Sequence, residues 1–184
     1  MSSPSPSSTS LPSNGPKSPA PLALYAIGLG SNRRHPIFGD PRAILVAAVE
    51  ALQNDVVEIV DTSPIINSAP IGPSRRRYAN AAILIASPLS PPELLRHLKA
   101  IESLFGIRRG QRWSSRVLDL DILLWSEGIW SDDQLNIPHR EMIGRNFVLS
   151  PLAKIAPKWR HPLLHRNIRQ ILSQLLRRYP VDQR

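Results

Sequence analysis

The order of strand-like and helix-like segments is the feature that most restricts the fold of this chain. Alternating or continuous apolar residues predict four strands, at 24–29, 56–61, 80–86 and 117–125. Asp40 followed by Pro41 starts a helix before the second strand, and a capping box at Ser90 starts another, ended by Gly106, before the fourth. The order strand, helix, strand, strand, helix, strand predicts an α+β fold with a ferredoxin-like βαββαβ core, its helices packed on an antiparallel sheet.

The two ends of the chain differ from this core. Residues 1–22 are rich in serine and proline and nearly free of large apolar side chains, so we expect a disordered tail followed by one domain at 23–184. A polar, proline-punctuated segment occupies 131–162. Apolar residues at helical spacing between 168 and 176 then predict a C-terminal amphipathic helix.

Composition and charge restrict the class of protein. The chain has 184 residues, no cysteine and no apolar run near the roughly 20 residues that span a bilayer. The tail lacks the features of a secretory or mitochondrial leader. We therefore expect a cytoplasmic protein with no membrane partner. We also expect it to be a monomer. The 23 basic and 14 acidic residues give a net charge of +9, which suggests an anionic partner, either nucleic acid or a phosphorylated small molecule. The alternative is that the many arginines reflect only the base composition of the genome.

Two aspartates interrupt the last predicted strand, "VLDLDILLW". Side chains alternate between the faces of a strand, so Asp119 and Asp121 point from one face, while Leu118, Leu120, Ile122 and Leu124 are expected to share the other face as core. Two like charges this close repel each other. Carboxylate oxygens are the ligands that Mg²⁺ prefers, together with substrate phosphates. The pair therefore predicts a metal site, the alternative being two solvated charges at a strand edge.

An arginine-rich segment precedes this strand. Arg108, Arg109, Arg112 and Arg116 surround Trp113, which could stack on a planar ligand. Guanidinium groups beside carboxylates that hold a metal suit an enzyme that acts on a polyphosphate. The alternative is a basic loop neutralised by the two aspartates.

Four separated motifs resemble one known family, that of 6-hydroxymethyl-7,8-dihydropterin pyrophosphokinase. In chain order they are "YAIGLGSN", "SAPIGPSRRRYANAA", "RWSSRVLDLDILLW" and "IPHREMIGRNFVLSPLAKIAP", and the resemblance covers about residues 24–158. It implies an enzyme of folate biosynthesis that uses ATP and two Mg²⁺ ions to transfer diphosphate to the pterin hydroxymethyl group, releasing AMP, and that has no nucleic-acid partner.

The resemblance also implies roles by position. Asp119 and Asp121 match the Mg²⁺ ligands. The positions that match pterin contacts are Ser68, Ile71, Tyr78, Asn80, Trp113 and Phe147. Those that match nucleotide contacts are Glu102, Arg109, Trp113, Arg116, His139 and Arg145. Arg109 and Arg116 match arginines that assist the chemistry. Without the resemblance, Glu102 would equally be a solvated helix residue, His139 a loop histidine and Phe147 core.

The chain departs from the family at two places in the arginine-rich segment. Ile107 occupies the position of an arginine that usually assists the chemistry, so we expect Arg108 to reach the same phosphate oxygens. Ser114 and Ser115 replace a usual Gly-Pro pair. Two other hypotheses stay open at this point: a family member that these changes have inactivated, and a basic ferredoxin-like module that binds RNA.

Overall fold

A computed structural model of the chain describes residues 21–68, 77–106 and 117–178. Its strands are β1 (Ala23–Ser31), β2 (Glu58–Thr62), β3 (Ile66–Ser68), β4 (Tyr78–Ser87), β5 (Asp119–Trp125), β6 (Trp130–Ser131) and β7 (Asn136–Ile137). Its α-helices are α1 (Pro41–Leu52), α2 (Pro91–Leu104), α3 (Asn146–Ile155) and α4 (Ile168–Arg178). The tail predicted at 1–22 falls almost entirely outside the described residues.

Five strands form an antiparallel sheet. Its order is β2-β4-β1-β5, and β3 pairs with β4 beyond the end of β2. The four strands predicted from the sequence therefore occupy the order expected of a ferredoxin-like core, and the predicted fold class is confirmed. Strands β6 and β7 form a separate two-stranded ribbon.

The start of each core helix follows from its local sequence. The Asp40 side chain accepts the backbone N–H groups of Arg42 and Ala43, both at 3.0 Å, and Pro41 occupies the first turn of α1. At α2, the Glu93 carboxylate accepts the Ser90 backbone N–H at 2.9 Å, as a capping box requires. Both predicted helix starts are confirmed.

Helices cover both faces of the sheet. Tyr25, Ile27 and Leu29 point from one face of β1 into the larger core, which α1 and α2 cover. Ala26 of β1 and Ala82 of β4 point the other way, into a second core formed with α3 and α4. The predicted C-terminal helix is confirmed as α4.

Several elements differ from the sequence prediction. Helix α3 lies inside the segment read as polar and irregular, and β3, β6 and β7 were not predicted. Leu124 was expected beside Leu118 and Leu120, which lie in the larger core, but it belongs to the second core. The reason is a register shift in the pairing of β1 with β5. Ala26 and Ile27 of β1 are paired with Leu124 and Ile122, so β5 has one extra residue here, and the side chains beyond it point to the opposite face.

Candidate active site

The two aspartates lie on β5, an edge strand of the sheet. They point from the face opposite Leu118 and Leu120, as the two-residue period predicted, and both are half-buried. Burial raises the pKa of the Asp121 carboxyl, and the neighbouring charge of Asp119 raises it further, while His139 and Lys99 act in the opposite direction. The strand thus holds an anionic pair that a cation would stabilise.

The register of the sheet extends this site across three strands. Gly30 of β1 is paired with Asp119 on one side and with Asn80 of β4 on the other, so the three residues form one row on the same face. In the next row, Gly28 lies between Asp121 and Ala82. Among the described residues, a Cβ atom added at Gly30 would meet only the Asn80 Oδ1 atom, at 3.7 Å. The part of the sheet that the structure describes therefore has an open floor between a carboxylate and an amide.

Asn80 is held in a defined orientation. It is buried, and its Nδ2 group donates to the Ser68 hydroxyl at 2.8 Å. Ser68 is paired with Tyr78, two residues before Asn80, so all three side chains share the face of the aspartates. Three of the residues predicted to contact the pterin are therefore adjacent, and β3, which the sequence did not predict, supplies one of them.

His139 is positioned by backbone hydrogen bonds. Its N–H donates to the Leu123 carbonyl at 3.0 Å, which brings the ring near Asp121. Its Nδ1 atom accepts the Glu141 N–H at 3.2 Å. Because Nδ1 accepts this bond, we assign a ring proton to Nε2. The ring can thus donate a hydrogen bond from Nε2 to an anionic ligand.

Arg145 and Phe147 lie where α3 begins, and this helix packs on the face that carries the aspartates. The Arg145 guanidinium pairs with Glu141 and lies 5.8 Å from the centroid of the Phe147 ring. The predicted contacts of these two residues with nucleotide and pterin stay predictions.

Two further side chains hold the aspartate strand. The buried Ser31 hydroxyl donates to the Val117 carbonyl at 2.5 Å, just before β5 begins. Glu102, on the last turn of α2, accepts the Leu120 N–H at 2.8 Å. Ser31 and Lys99, the ion-pair partner of Glu102, were not among the predicted site residues. The bonds from Ser31 to Val117 and from Glu102 to Leu120 have no signal in the local sequence, because each joins elements distant along the chain.

The remaining predicted site residues lie outside the described residues. They are Ile71, Arg108, Arg109, Trp113 and Arg116.

The donor set fits Mg²⁺ better than a transition metal. Within 21–68, 77–106 and 117–178, no group of three or more His, Cys, Asp or Glu side chains is placed to hold a metal ion. Two half-buried carboxylates, at the edge of an open floor, match the way Mg²⁺ binds, by one or two carboxylates completed by substrate phosphates and water. Asp119 and Asp121 would be its protein ligands.

No helix in the described residues has the length and apolarity needed to cross a membrane.

Comparison with known proteins identifies a family. The family model described as 7,8-dihydro-6-hydroxymethylpterin-pyrophosphokinase (HPPK) matches residues 26–157. The 2-amino-4-hydroxy-6-hydroxymethyldihydropteridine pyrophosphokinase of Pseudomonas aeruginosa is 39% identical over 138 residues, covering 74% of this chain and 82% of that protein. The Synechocystis protein of the same name is 40% identical over 119 residues, covering 65% of this chain but only 61% of its own length.

Solved structures agree on the fold. A crystal structure of Plasmodium falciparum HPPK-DHPS has a TM-score of 0.67 at 14% identity, covering 89% of this chain and 43% of that one. Its complex with pteroate has a TM-score of 0.65 at 16% identity, covering 85% and 43% respectively.

Proposed function

Because the chain belongs to the 7,8-dihydro-6-hydroxymethylpterin-pyrophosphokinase family, we propose that it transfers the β,γ-diphosphate of ATP to 6-hydroxymethyl-7,8-dihydropterin, releasing AMP. The observation that carries this proposal is the row formed by Asp119, Gly30 and Asn80. In this row a carboxylate, of the kind that Mg²⁺ prefers, and an amide suited to a heterocycle edge lie on either side of Gly30, which has no side chain.

The two substrates bind at opposite ends of this row. The pterin lies over the floor beside Asn80, Ser68 and Tyr78, where the amide, held by Ser68, hydrogen-bonds the ring edge, and Phe147 stacks on the ring. By the family resemblance, Ile71 and Trp113 also contact the pterin. The pterin hydroxymethyl group then points along the row towards Asp119 and Asp121.

ATP lies at the aspartate end of the row. Asp119 and Asp121 would hold Mg²⁺, two ions by the family resemblance, and the metal would neutralise charge on the transferring group. His139 donates from Nε2 to a phosphate oxygen, and Arg145 supplies positive charge beside it. Arg109 and Arg116, with Arg108, act on the phosphates, and Glu102 lies on the nucleotide side.

The reaction is an in-line displacement in which the protein positions the reactants. The pterin hydroxymethyl oxygen forms a bond to the β-phosphorus and loses its proton to water, and the bond from that phosphorus to the α,β-bridging oxygen breaks, so AMP leaves. Asp119 and Asp121 orient the phosphates, and Asn80 fixes the angle of approach of the attacking oxygen. Catalysis therefore requires no covalent intermediate on the protein.

The partners follow from the same chemistry. We place the protein in the cytoplasm as a monomer acting on small molecules. An RNA-binding role is disfavoured because two carboxylates on the open part of the sheet would repel phosphate in the absence of metal. Nothing in the site's chemistry calls for a membrane.

Identification of the products tests the proposal. Full-length protein is incubated with ATP, Mg²⁺ and 6-hydroxymethyl-7,8-dihydropterin, and nucleotides and pterins are separated by chromatography. We expect AMP and the dihydropterin diphosphate in equal amounts, with none formed when EDTA replaces Mg²⁺. ADP as the product, or ATP left intact, would exclude diphosphate transfer.

A further inference from the structure

The outer edge of β5 is held by a side chain from another element. Among the strands of the described residues, β5 pairs within the main sheet with β1, along one side. On its other side, the Leu120 N–H donates to Glu102 Oε1 at 2.8 Å. Leu120 lies between Asp119 and Asp121, so this bond fixes the backbone at the point from which both carboxylates project.

The acceptor is itself held in place. Lys99, one turn earlier on α2, donates from Nζ to the same Glu102 oxygen at 2.6 Å. The Glu102 side chain is only 12% exposed, against 43% for Lys99. A carboxylate removed from water in this way is stable when it is paired and hydrogen-bonded, and Glu102 is both. Glu102 and Lys99 together therefore form a fixed brace, which we call the α2 brace.

We propose that Glu102 is a positioning residue: through the Leu120 N–H, the α2 brace sets the spacing and direction of Asp119 and Asp121 and thereby the affinity of the site for its divalent cation. The proposal rests on the function proposed above. It differs from the nucleotide contact that the family resemblance implies, because within the described residues the hydrogen bonds of Glu102 go to the Leu120 N–H and to Lys99. Outer groups that orient metal ligands typically change metal affinity by about 10–100-fold when they are removed.

The two roles predict different effects of a conservative substitution. Glu102→Gln keeps an oxygen that can accept the Leu120 N–H but loses the charge, whereas Glu102→Ala loses both. If Glu102 positions the strand, glutamine retains most of its effect. If it acts by its charge on the metal or the nucleotide, glutamine and alanine are equally damaging.

Two readouts do not depend on turnover. One is the hydrogen exchange rate of the Leu120 amide, measured by NMR on the full chain. The other is the affinity for Mn²⁺ in the presence of ATP, measured by electron paramagnetic resonance. Glu58→Ala is the matched control, because it removes an exposed carboxylate from β2, the edge strand at the other end of the sheet order.

For Glu102→Ala we expect at least about tenfold faster exchange at Leu120 and about tenfold weaker Mn²⁺ binding. Glu102→Gln and Glu58→Ala should stay within about threefold of the wild type in both measurements. Glu102→Met, which keeps the aliphatic stem without an acceptor, replaces alanine if that variant does not fold. Unchanged Leu120 exchange in the alanine or methionine variant, or Mn²⁺ binding as weak in Glu102→Gln as in Glu102→Ala, would overturn the proposal.

Failure of the proposed function is distinguishable from failure of the brace. Wild-type protein that releases no AMP refutes the pyrophosphokinase assignment, whatever the variants do. The exchange rate of Leu120 reports on the brace alone, and the change in Mn²⁺ affinity between variants reports on its link to the metal site.

Discussion

Replacing Asp121 by asparagine should change activity and stability in opposite directions. The side chain keeps its size and loses its charge, so the proposed metal site loses one of its two carboxylates. Removal of one preorganised electrostatic group commonly lowers turnover by about 10²–10³-fold, and we expect a loss of at least about 10²-fold here. The fold should be stabilised, because the substitution removes one member of a like-charge pair.

The size of this stabilisation follows from the strand geometry. Residues two apart on one face of a strand are separated by about 7 Å along the strand. Two unit charges at that distance repel by about 2 kcal/mol at an effective dielectric constant near 20. His139 and Lys99 offset part of this repulsion. A net gain of about 1–2 kcal/mol would raise the melting temperature by about 2–8 °C in a chain of this size.

The pKa of Asp121 gives the gain a pH dependence. Burial and Asp119 raise this pKa in the folded state, so the ionised carboxylate is disfavoured there relative to the unfolded chain. Below about pH 4 the carboxyl is mostly protonated in both states, and the penalty is small. The penalty develops in the wild type, and not in Asp121→Asn, as the pH rises from the unfolded pKa to the raised folded pKa. The difference in melting temperature should therefore be small near pH 4 and larger at pH 7.

Thermal unfolding at both pH values, together with AMP release under saturating substrates, measures these effects. Asp133→Asn makes the same chemical change at an exposed turn residue and should alter neither quantity. Full activity in Asp121→Asn would refute the metal-site interpretation. A variant that is destabilised at pH 7 would refute the electrostatic reasoning.

Three further predictions concern other parts of the chain. Gly30→Ala should raise the pterin KM about tenfold, because the alanine methyl group would occupy the floor on which the pterin is proposed to lie. The melting temperature should change little, because among the described residues this methyl group meets only Asn80, at van der Waals distance. An unchanged KM would place the pterin elsewhere. Burial lowers the pKa of His161, so the wild type should lose stability as the pH falls from about 7 to 5. In urea unfolding, His161→Gln should show a weaker dependence of the unfolding free energy on pH, and an equal dependence in both proteins would contradict the lowered pKa. Arg108→Ala should reduce turnover at least about tenfold with little effect on ATP affinity, and Ile107→Arg should gain little; the reverse result would indicate an impaired site.

Elements with strong local signals could be predicted from the sequence. The helix starts at Asp40 and Ser90 depend on hydrogen bonds within one turn, and the aspartate pair depends only on the two-residue period of a strand. Helix α3 was missed because Pro151 lies inside it, and an internal proline removes a backbone donor and normally argues against a helix. Leu124 was assigned to the wrong face because the register shift depends on the pairing of β5 with β1.

The site was predictable only in part, for a related reason. The residue types at Asp119, Asp121 and Asn80 could be identified, but their alignment through Gly30 depends on the register of three strands. The bonds from Ser31 to Val117 and from Glu102 to Leu120 join residues 86 and 18 positions apart. Such contacts follow from the packed fold and have no periodic signal in the sequence.

Transfer of label from ATP tests the central claim most directly. The protein is incubated with Mg²⁺, 6-hydroxymethyl-7,8-dihydropterin and ATP labelled at the β-phosphorus, and the products are separated. If the site that contains Asp119 and Asp121 catalyses diphosphate transfer, the label appears in the pterin product at the rate of AMP release. Both rates then fall together in Asp121→Asn. Label that stays in a nucleotide while the γ-phosphate is lost, or label transfer that is unaffected by Asp121→Asn, would contradict the account.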